Sequence, residues 1–425
     1  MSLPLSPEQA YVLEDIHWRG AGLTFVTGKA GTGKSTLLRE LSTALTGRAA
    51  VAAPTGLAAI NAGGQTIHSL FGFKPGPLMN TEEHVHRYNP YSFRGRVLRK
   101  MDALILDEIS MVRADLLDAI DYSLRINNDS DDPFGGKQVV VFGDLLQLEP
   151  VVSRGADSEM IEHRYASPFF FDSEVVREHR LEVHELTTVH RQASDPELIW
   201  ALNQVRWGEA DALDAFNERV GESVDEGRVI TLGTHNDGVN ALNMRRLVDL
   251  SSPPQGYKAI IEGEFTKDFP TDVDLVLKPG ARVMLLKNAA QWVNGSLGTV
   301  LRLEPEFAVV ELDSGEVVEV PPMSWEKVRW SWDSHRDRLT YEIVGTFTQI
   351  PLKLAWAMTV HKAQGLTFDH VRLDFTRSAF AHGQLYVALS RCRTFQGMTL
   401  TRKLKQDDLI INPRVFEFWR QMGLS

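Results

Sequence analysis

Cysteine is almost missing from this chain. Cys392 is the single one in 425 residues, so neither an internal disulfide nor a multi-cysteine zinc site can form. Long apolar runs are missing too, and nothing approaches the roughly 20 residues a membrane-crossing helix needs. Basic excess is also lacking: 45 Lys and Arg against 56 Asp and Glu leave a net charge of −11. That balance speaks against a broadly cationic surface for coating a polyanion, yet leaves room for a local basic groove. The opening Met-Ser-Leu-Pro-Leu-Ser-Pro has neither the basic start nor the apolar core of a signal peptide. A soluble cytoplasmic protein is therefore expected. Its 43% hydrophobic and 24% charged content is ordinary for a globular chain.

The most specific feature present is Gly28-Lys29-Ala30-Gly31-Thr32-Gly33-Lys34-Ser35, which fits the phosphate-cradling pattern G-x-x-x-x-G-K-[ST]. Its flanks agree with the pattern. Leu23 to Thr27 reads as a short buried strand, and Ser35 to Leu45 as an amphipathic helix. Strand, glycine-rich turn and helix start together aim backbone N–H groups and the positive end of a helix at an anion. Lys34 is placed for the β- and γ-phosphates of a nucleotide, and the Ser35 hydroxyl for Mg²⁺.

Further strands and loops follow in an order that suits one nucleotide-binding lobe. Gln9 precedes the loop at a distance where an amide can read adenine, although a capped helix start explains it equally well. Ala49 to Ala53 reads as a buried strand ending at Pro54-Thr55-Gly56. The segment around Asn61 and His68 is rich in small and hydroxyl residues suited to close ligand approach. Met101 to Leu106 is an apolar strand leading into Asp107-Glu108, a carboxylate pair suited to hold Mg²⁺ through water and to polarise an attacking water. Gln138 to Phe142 is another strand, after which Gln147 stands where a polar group can sense a γ-phosphate. Between these elements, His84 to Lys100 carries Arg87, Arg94, Arg96, Arg99 and Lys100 among Tyr88, Tyr91 and Phe93. That mixture serves either a single-strand contact or a solvated loop.

A second α/β series starts near Leu181 and holds no second phosphate loop. Arg191 and, later, Arg391 are candidate cations for a bound nucleotide. From about Ser251 the alternation gives way to short strands at 281–286, 298–303, 307–312 and 316–320, with Asp313-Ser314-Gly315 as a hairpin turn. A small inserted β-barrel is predicted. Trp325, Trp330 and Trp332 with nearby basic residues are either a stacking surface or core. Leu352 to Met358 is expected to be one buried strand opening into Thr359-Val360-His361-Lys362-Ala363-Gln364-Gly365, and a helix is expected near Pro413–Met422.

As an ordered set, GKAGTGKS, APTGLAAINAGGQTIHS, LDEISMV, FGDLLQL, VHRQ, WVNGSLGTV, MTVHKAQGLTFD and YVALSRCR resemble the petite-integration-frequency (Pif) family of superfamily 1B DNA helicases, the RecD-like branch. The resemblance implies an α/β fold of two RecA-like P-loop NTPase lobes. A small wedge insertion is implied in the first lobe and an SH3-like β-barrel insertion in the second. The expected bounds are 1–185 for the first lobe with its insertion at about 70–100. The second lobe is expected at 186–250 and 351–425, with the barrel at 251–350. By the same likeness Gln9 reads adenine, and Gly28, Ala30, Gly31, Thr32, Gly33, Lys34, Ser35, Thr36 and Gly365 line the nucleotide. Ser35 and Asp107 hold Mg²⁺, Glu108 activates water, Gln147 is the sensor, and Arg191 and Arg391 are arginine fingers. Thr55, Asn61, His68, Thr359 and His361 lie along single-stranded DNA. ATP and Mg²⁺ are the implied cofactors, and single-stranded DNA and its junctions with duplex the implied partner. The core is expected to be monomeric, with a possible DNA-induced dimer, and nucleoid-associated if bacterial. Movement from 5′ to 3′ follows from the likeness alone. A single-strand-dependent ATPase that remodels nucleoprotein or acts on RNA shares all of these motifs. Glu149 departs from the family, which usually has a second proline there.

Overall fold

The structure is a computed structural model of the whole chain. It describes all residues except 1–4, 30, 46, 75, 83, 154–155, 189–194, 226, 267–268, 293, 334–337 and 424–425; at 57, 60, 156–157, 328–333 and 338–342 only the backbone is described. Two compact units emerge. One comprises Met1–Arg191, Val328–Glu342 and Asn412–Ser425, the other Gln192–Lys327 and Ile343–Ile411.

The first unit is built on strands β1 (Gly22–Gly28), β2 (Ala49–Ala53), β3 (Gln65–Thr66), β4 (Ala103–Leu106), β5 (Gln138–Phe142) and β6 (Leu181–Leu186). They form one sheet in the order β3-β2-β4-β5-β1-β6, every pairing parallel. Sequences such as AAVAA, ALIL and QVVVF are apolar at nearly every position because such a sheet is covered on both faces. Helices α1 (Pro7–Arg19), α2 (Lys34–Ala44), α3 (Gly56–Ala62), α4 (Ile67–Phe71), α5 (Phe93–Lys100), α6 (Ala114–Asn128), α7 (Ala156–Arg164) and α8 (Glu174–Glu178) complete the unit before residue 191. Val12 and Ile16 of α1 and Leu37, Leu38 and Leu41 of α2 share one core with Val26, Val51, Ile105, Val140 and Phe142 of the strands.

The second unit begins with α9 (Pro196–Arg206), α10 (Leu213–Asn217), β7 (Ile230–Gly233) and α11 (Asn236–Asp249). The predicted β-rich insertion follows: β8 (Gln255–Lys258), β9 (Ile260–Gly263), β10 (Asp274–Leu277), β11 (Arg282–Leu285), β12 (Leu297–Leu303), β13 (Ala308–Leu312), β14 (Val317–Val320), β15 (Met323–Asp333), β16 (Arg338–Gln349) and β17 (Leu352–Leu354). A five-stranded antiparallel sheet, β14-β13-β12-β11-β17, encloses Val283, Leu285, Val300, Val310, Val318 and Leu352. The expected hairpin turn is present: Gly315 has φ +86° and donates to the Leu312 carbonyl at 2.8 Å. The unit closes with β18 (Ala357–Thr359), β19 (Val371–Asp374), α12 (Gln384–Leu389) and β20 (Met398–Leu400), giving a parallel sheet β18-β7-β19-β20.

Three expectations need correction. Leu181–Leu186, read as the start of the second α/β series, is β6 and pairs parallel with β1 at the edge of the first sheet. The single strand predicted over Leu352–Met358 is two short strands in different sheets. β17 pairs antiparallel with β11 and β18 parallel with β7, because the chain turns at Ala355 and Trp356 to pass from one sheet to the other. Helix α13 (Pro413–Gln421) forms as expected but packs in the first unit, although the sequence reading placed residues 351–425 in the second lobe. Phe418 stacks on Phe171 at 4.3 Å and 13°, and Arg414 grips the buried Asp172 carboxylate with Nε at 2.9 Å and Nη2 at 2.5 Å. Removing one partner of a buried pair strands the other charge. Arg414→Ala should therefore lower the urea unfolding free energy by about 2–4 kcal/mol; an unchanged midpoint contradicts this packing.

Candidate functional site

All strands of the first sheet run one way, so their C-terminal ends share one edge, where open α/β sheets bind ligands. β1 delivers the phosphate loop to this edge, β4 the Asp107-Glu108 pair, β5 the Gly143–Gln147 turn and β2 Thr55.

The loop is shaped by its glycines. A Cβ on Gly28 would stand 2.5 Å from the Leu186 carbonyl oxygen and 2.8 Å from Thr32 Oγ1, so only glycine fits between β6 and the returning loop. Gly33 takes the left-handed conformation, φ +83° and ψ 22°, at the N-cap of α2 and offers no side-chain cap. The first N–H groups of that helix thus face an acceptor that the helix does not itself supply. Lys34 folds its ammonium over the loop and donates to the carbonyls of Gly28 at 2.7 Å and Lys29 at 3.0 Å. Thr32 Oγ1 donates to the Lys29 carbonyl at 3.0 Å. Ser35 is exposed and Thr36 half-buried on the first turn of α2. Ala30 lies outside the described residues.

Gln9 is buried and fully engaged. It forms a capping box with Ser6, and its Nε2 donates to the Thr32 and Gly33 carbonyls, each at 3.3 Å. The capped helix start is the reading seen here: the amide caps its own helix, and it also fastens that helix to the phosphate loop.

Asp107 and Glu108 follow the all-buried β4. Glu108 N–H donates to Asp107 Oδ1 at 2.9 Å, and Glu108 itself takes φ 51°, ψ 47°, a left-handed conformation that costs energy in a non-glycine residue. Burial and the adjacent Glu108 carboxylate push the Asp107 carboxyl up to about 7, while the Glu108 N–H, Lys34 and Arg39 pull it down. A divalent cation beside the pair would remove the cost of ionising both carboxyls, so these residues fit Mg²⁺. Gln147 is buried, its backbone N–H on the Asp144 carbonyl at 3.0 Å and its Nε2 3.4 Å from Asp144 Oδ2. A Cβ on Gly143 would meet Ile109 Cγ2 at 2.8 Å, so this turn packs directly on the segment after Glu108. Arg39 was missed by the sequence reading, yet its spacing from Ser35 on one helix, i and i+4, is a usable signal.

The remaining candidates fall into separate groups. Thr55 Oγ1 accepts from Ala58 N–H at 3.2 Å and so caps α3, while Asn61 is exposed at the end of that helix and His68 is half-buried on α4. In the stretch read as basic and aromatic, Arg94 donates to the Leu70 and Ser69 carbonyls at 3.0 Å, and the Tyr88 hydroxyl to the Phe71 carbonyl at 2.8 Å. Those two are structural ties closing α4. Tyr91, 85% exposed, and Phe93, with Arg96 5.3 Å over its ring, remain at the surface.

In the second unit Thr359 is buried at the end of β18 and His361 half-buried beyond it; Gly365 is exposed, with φ +79°. Arg391 is 1% exposed, its Nε on the Val387 carbonyl at 2.8 Å, Nη1 on the Leu366 carbonyl at 2.9 Å and Nη2 on Ser390 Oγ at 2.6 Å. Arg191 lies outside the described residues, as do the side chains of Trp330 and Trp332. Trp325 is core, 5.8 Å from Phe347.

This arrangement has close relatives. Residues 4–213 match the family model for PIF1-like helicase, and residues 354–394 that for the UvrD-like helicase C-terminal domain. The ATP-dependent DNA helicase Pif1 of Bdellovibrio bacteriovorus is 30% identical over 99% of this chain and 92% of its own length. The chain belongs to the PIF1-like helicase family. The ATP-dependent DNA helicase PIF1 of Xenopus laevis is 33% identical over 98% of this PIF1-like chain, which spans only 64% of the Xenopus protein's length. A crystal structure of Bacteroides sp Pif1 in complex with ADP-AlF4 superposes with a TM-score of 0.89 at 37% identity, covering 99% of this chain and 97% of that one. Bacteroides Pif1 bound to ssDNA gives 0.73 at 38%, covering 99% and 97%. These matches carry the two-lobed RecA-like α/β fold to this PIF1-like chain. Among the described residues no helix is long and apolar enough to cross a membrane.

The glycine cradle makes a direct prediction. Gly28→Ala should cost about 1–3 kcal/mol of stability by overpacking and weaken nucleotide binding about tenfold or more, because the loop must shift (about 1.4 kcal/mol per tenfold). Urea unfolding and fluorescent-nucleotide titration measure the two effects, and wild-type values in both contradict the geometry.

Proposed function

We propose that this chain is an ATP-driven motor that binds single-stranded DNA, moves along it 5′ to 3′ and separates duplex or folded DNA. The observation that carries this reading is the convergence of the phosphate loop and the Asp107-Glu108 pair on one edge of one parallel sheet. Family membership adds the substrate class, since relatives are named DNA helicases and a related structure holds ssDNA.

On this reading the backbone N–H groups at the start of α2 receive the triphosphate, and Lys34 trades its loop carbonyls for β- and γ-phosphate oxygens. Ser35 and Asp107 hold Mg²⁺, which when bound neutralises developing phosphate charge. Glu108, fixed by its strained backbone, takes the proton of the attacking water, and Gln147 orients that water or reports the γ-phosphate. Gln9 is kept as the adenine reader, with the added duty of bracing the loop. Arg391 is kept as an arginine finger, a role that exchanges its bonds to Val387, Leu366 and Ser390 for phosphate oxygens. Arg191 is its counterpart. Gly365, Thr55, Asn61, His68, Thr359 and His361 keep their expected places at nucleotide and strand. Residues 251–350 are taken as the SH3-like insertion and 70–100 as the wedge.

Two measurements test the proposal. Lys34→Ala should reduce ATP turnover about 100-fold or more, the scale expected when a preorganised charge stabiliser is lost, while still binding single strands. Strand displacement on duplexes bearing only a 5′ or only a 3′ tail should proceed from the 5′ tail and require ATP. Displacement without ATP, or undiminished turnover in Lys34→Ala, contradicts the motor.

A further inference from the structure

The first turn of α1 is tied to two neighbouring segments by two adjacent residues. Gln9 reaches the phosphate loop: its Nε2 donates to the Thr32 and Gly33 carbonyls at 3.3 Å each, while its Oε1 accepts from Ser6 N–H at 2.9 Å. Glu8 reaches the chain that leaves β6. The pairing of β1 with β6 ends at Gly28 opposite Leu186, and the next two N–H groups of that chain turn to Glu8. Its Oε1 accepts from the Thr187 N–H and the Thr187 hydroxyl, both at 2.8 Å, and its Oε2 from Thr188 N–H at 3.3 Å. Hydrolysis as described above makes no use of these three bonds.

The two ties are unequal. Amide bonds of 3.3 Å exceed the usual N–H···O range of about 2.7–3.2 Å, whereas bonds to an ionised carboxylate are about twice as strong as neutral ones. Partial burial favours the protonated form of Glu8, but the donors on Thr187 and Thr188 outweigh it and hold the carboxyl below its ordinary range. Glu8 is therefore ionised at neutral pH and can only accept. The Gln9 amide has a fixed sense as well. Turned over, it would set its oxygen against two carbonyls and its donors against the Ser6 N–H, so Nε2 is the end that faces the phosphate loop.

Reading a base requires Gln9 to turn Nε2 from the loop carbonyls to the ring. The first turn of α1 then gives up its bonds to the phosphate loop just when its position sets how the amide meets the base. Glu8 keeps the same turn bound to the end of β6 throughout. We propose that Glu8 is a positioning residue for base selectivity: by clasping Thr187 and Thr188 it holds the turn that carries Gln9, so that the amide meets adenine in one orientation. The inference rests on the reading of Gln9 as the adenine reader, and Glu8 acts through Gln9 without touching the nucleotide.

The test is the ratio of kcat/KM for ATP to that for GTP, measured on the whole chain with single-stranded DNA present. Gln9→Ala should lower this ratio about 10-fold or more, the scale of one or two lost hydrogen bonds. Glu8→Ala should lower it about 3- to 30-fold, and the double variant Glu8→Ala/Gln9→Ala should match Gln9→Ala within about twofold, because two residues acting through one contact do not add. Glu8→Gln keeps the side-chain shape and one accepting oxygen. It should lower the ratio less than alanine does, and it carries the test if Glu8→Ala does not fold. A clasp that served folding alone would depress turnover of both nucleotides equally. That result, an unchanged ratio in both Glu8 variants, or additive losses in the double variant would overturn the role of Glu8 and leave Gln9 as the adenine reader. A wild-type ratio in Gln9→Ala overturns both.

Discussion

Two carboxyls held side by side at the end of an apolar strand are the constraint on which the first unit depends. Asp107 cannot be ionised cheaply there, because burial and Glu108 both oppose its charge. Every nearby feature acts on that cost. Glu108 turns its own N–H back to Asp107, and Lys34 and Arg39 bring positive charge. On the proposed function this pair is one half of a cation site and the phosphate loop the other, and the parallel sheet sets both on one edge by aligning strand ends.

The loop shows the same economy of means. Gly28 admits the chain beneath Leu186, Gly33 starts a helix without capping it, and Lys34 occupies the carbonyls in the meantime. The second unit carries a parallel sheet of its own, and its strand ends hold side chains of another kind: rings, hydroxyls and an arginine satisfied by backbone carbonyls.

Much of this was legible in the sequence where function demands a fixed local pattern. The phosphate loop, the acidic pair and the strand before each could be read because the chemistry requires those residues at those spacings. Legibility ended where tertiary contacts decide. Leu352–Met358 is apolar throughout, so nothing in its pattern marks the switch between sheets at Ala355. Helix α13 announces an apolar face but not which core receives it; Phe171 and Asp172 decide that, the latter from 242 residues before Arg414 in sequence. Arg94 and Tyr88 look like strand contacts until the open carbonyls of α4 claim them, and Trp325 looks like a stacking surface until Phe347 covers it.

The central claim is that Asp107 and Glu108 are held together for a divalent cation. The most direct measurement is calorimetric titration of a non-hydrolysable ATP analogue into wild type and Asp107→Asn, each with and without Mg²⁺. The predicted result is an affinity that rises with Mg²⁺ in the wild type and a markedly smaller rise in Asp107→Asn. An equal rise in both proteins would contradict the claim.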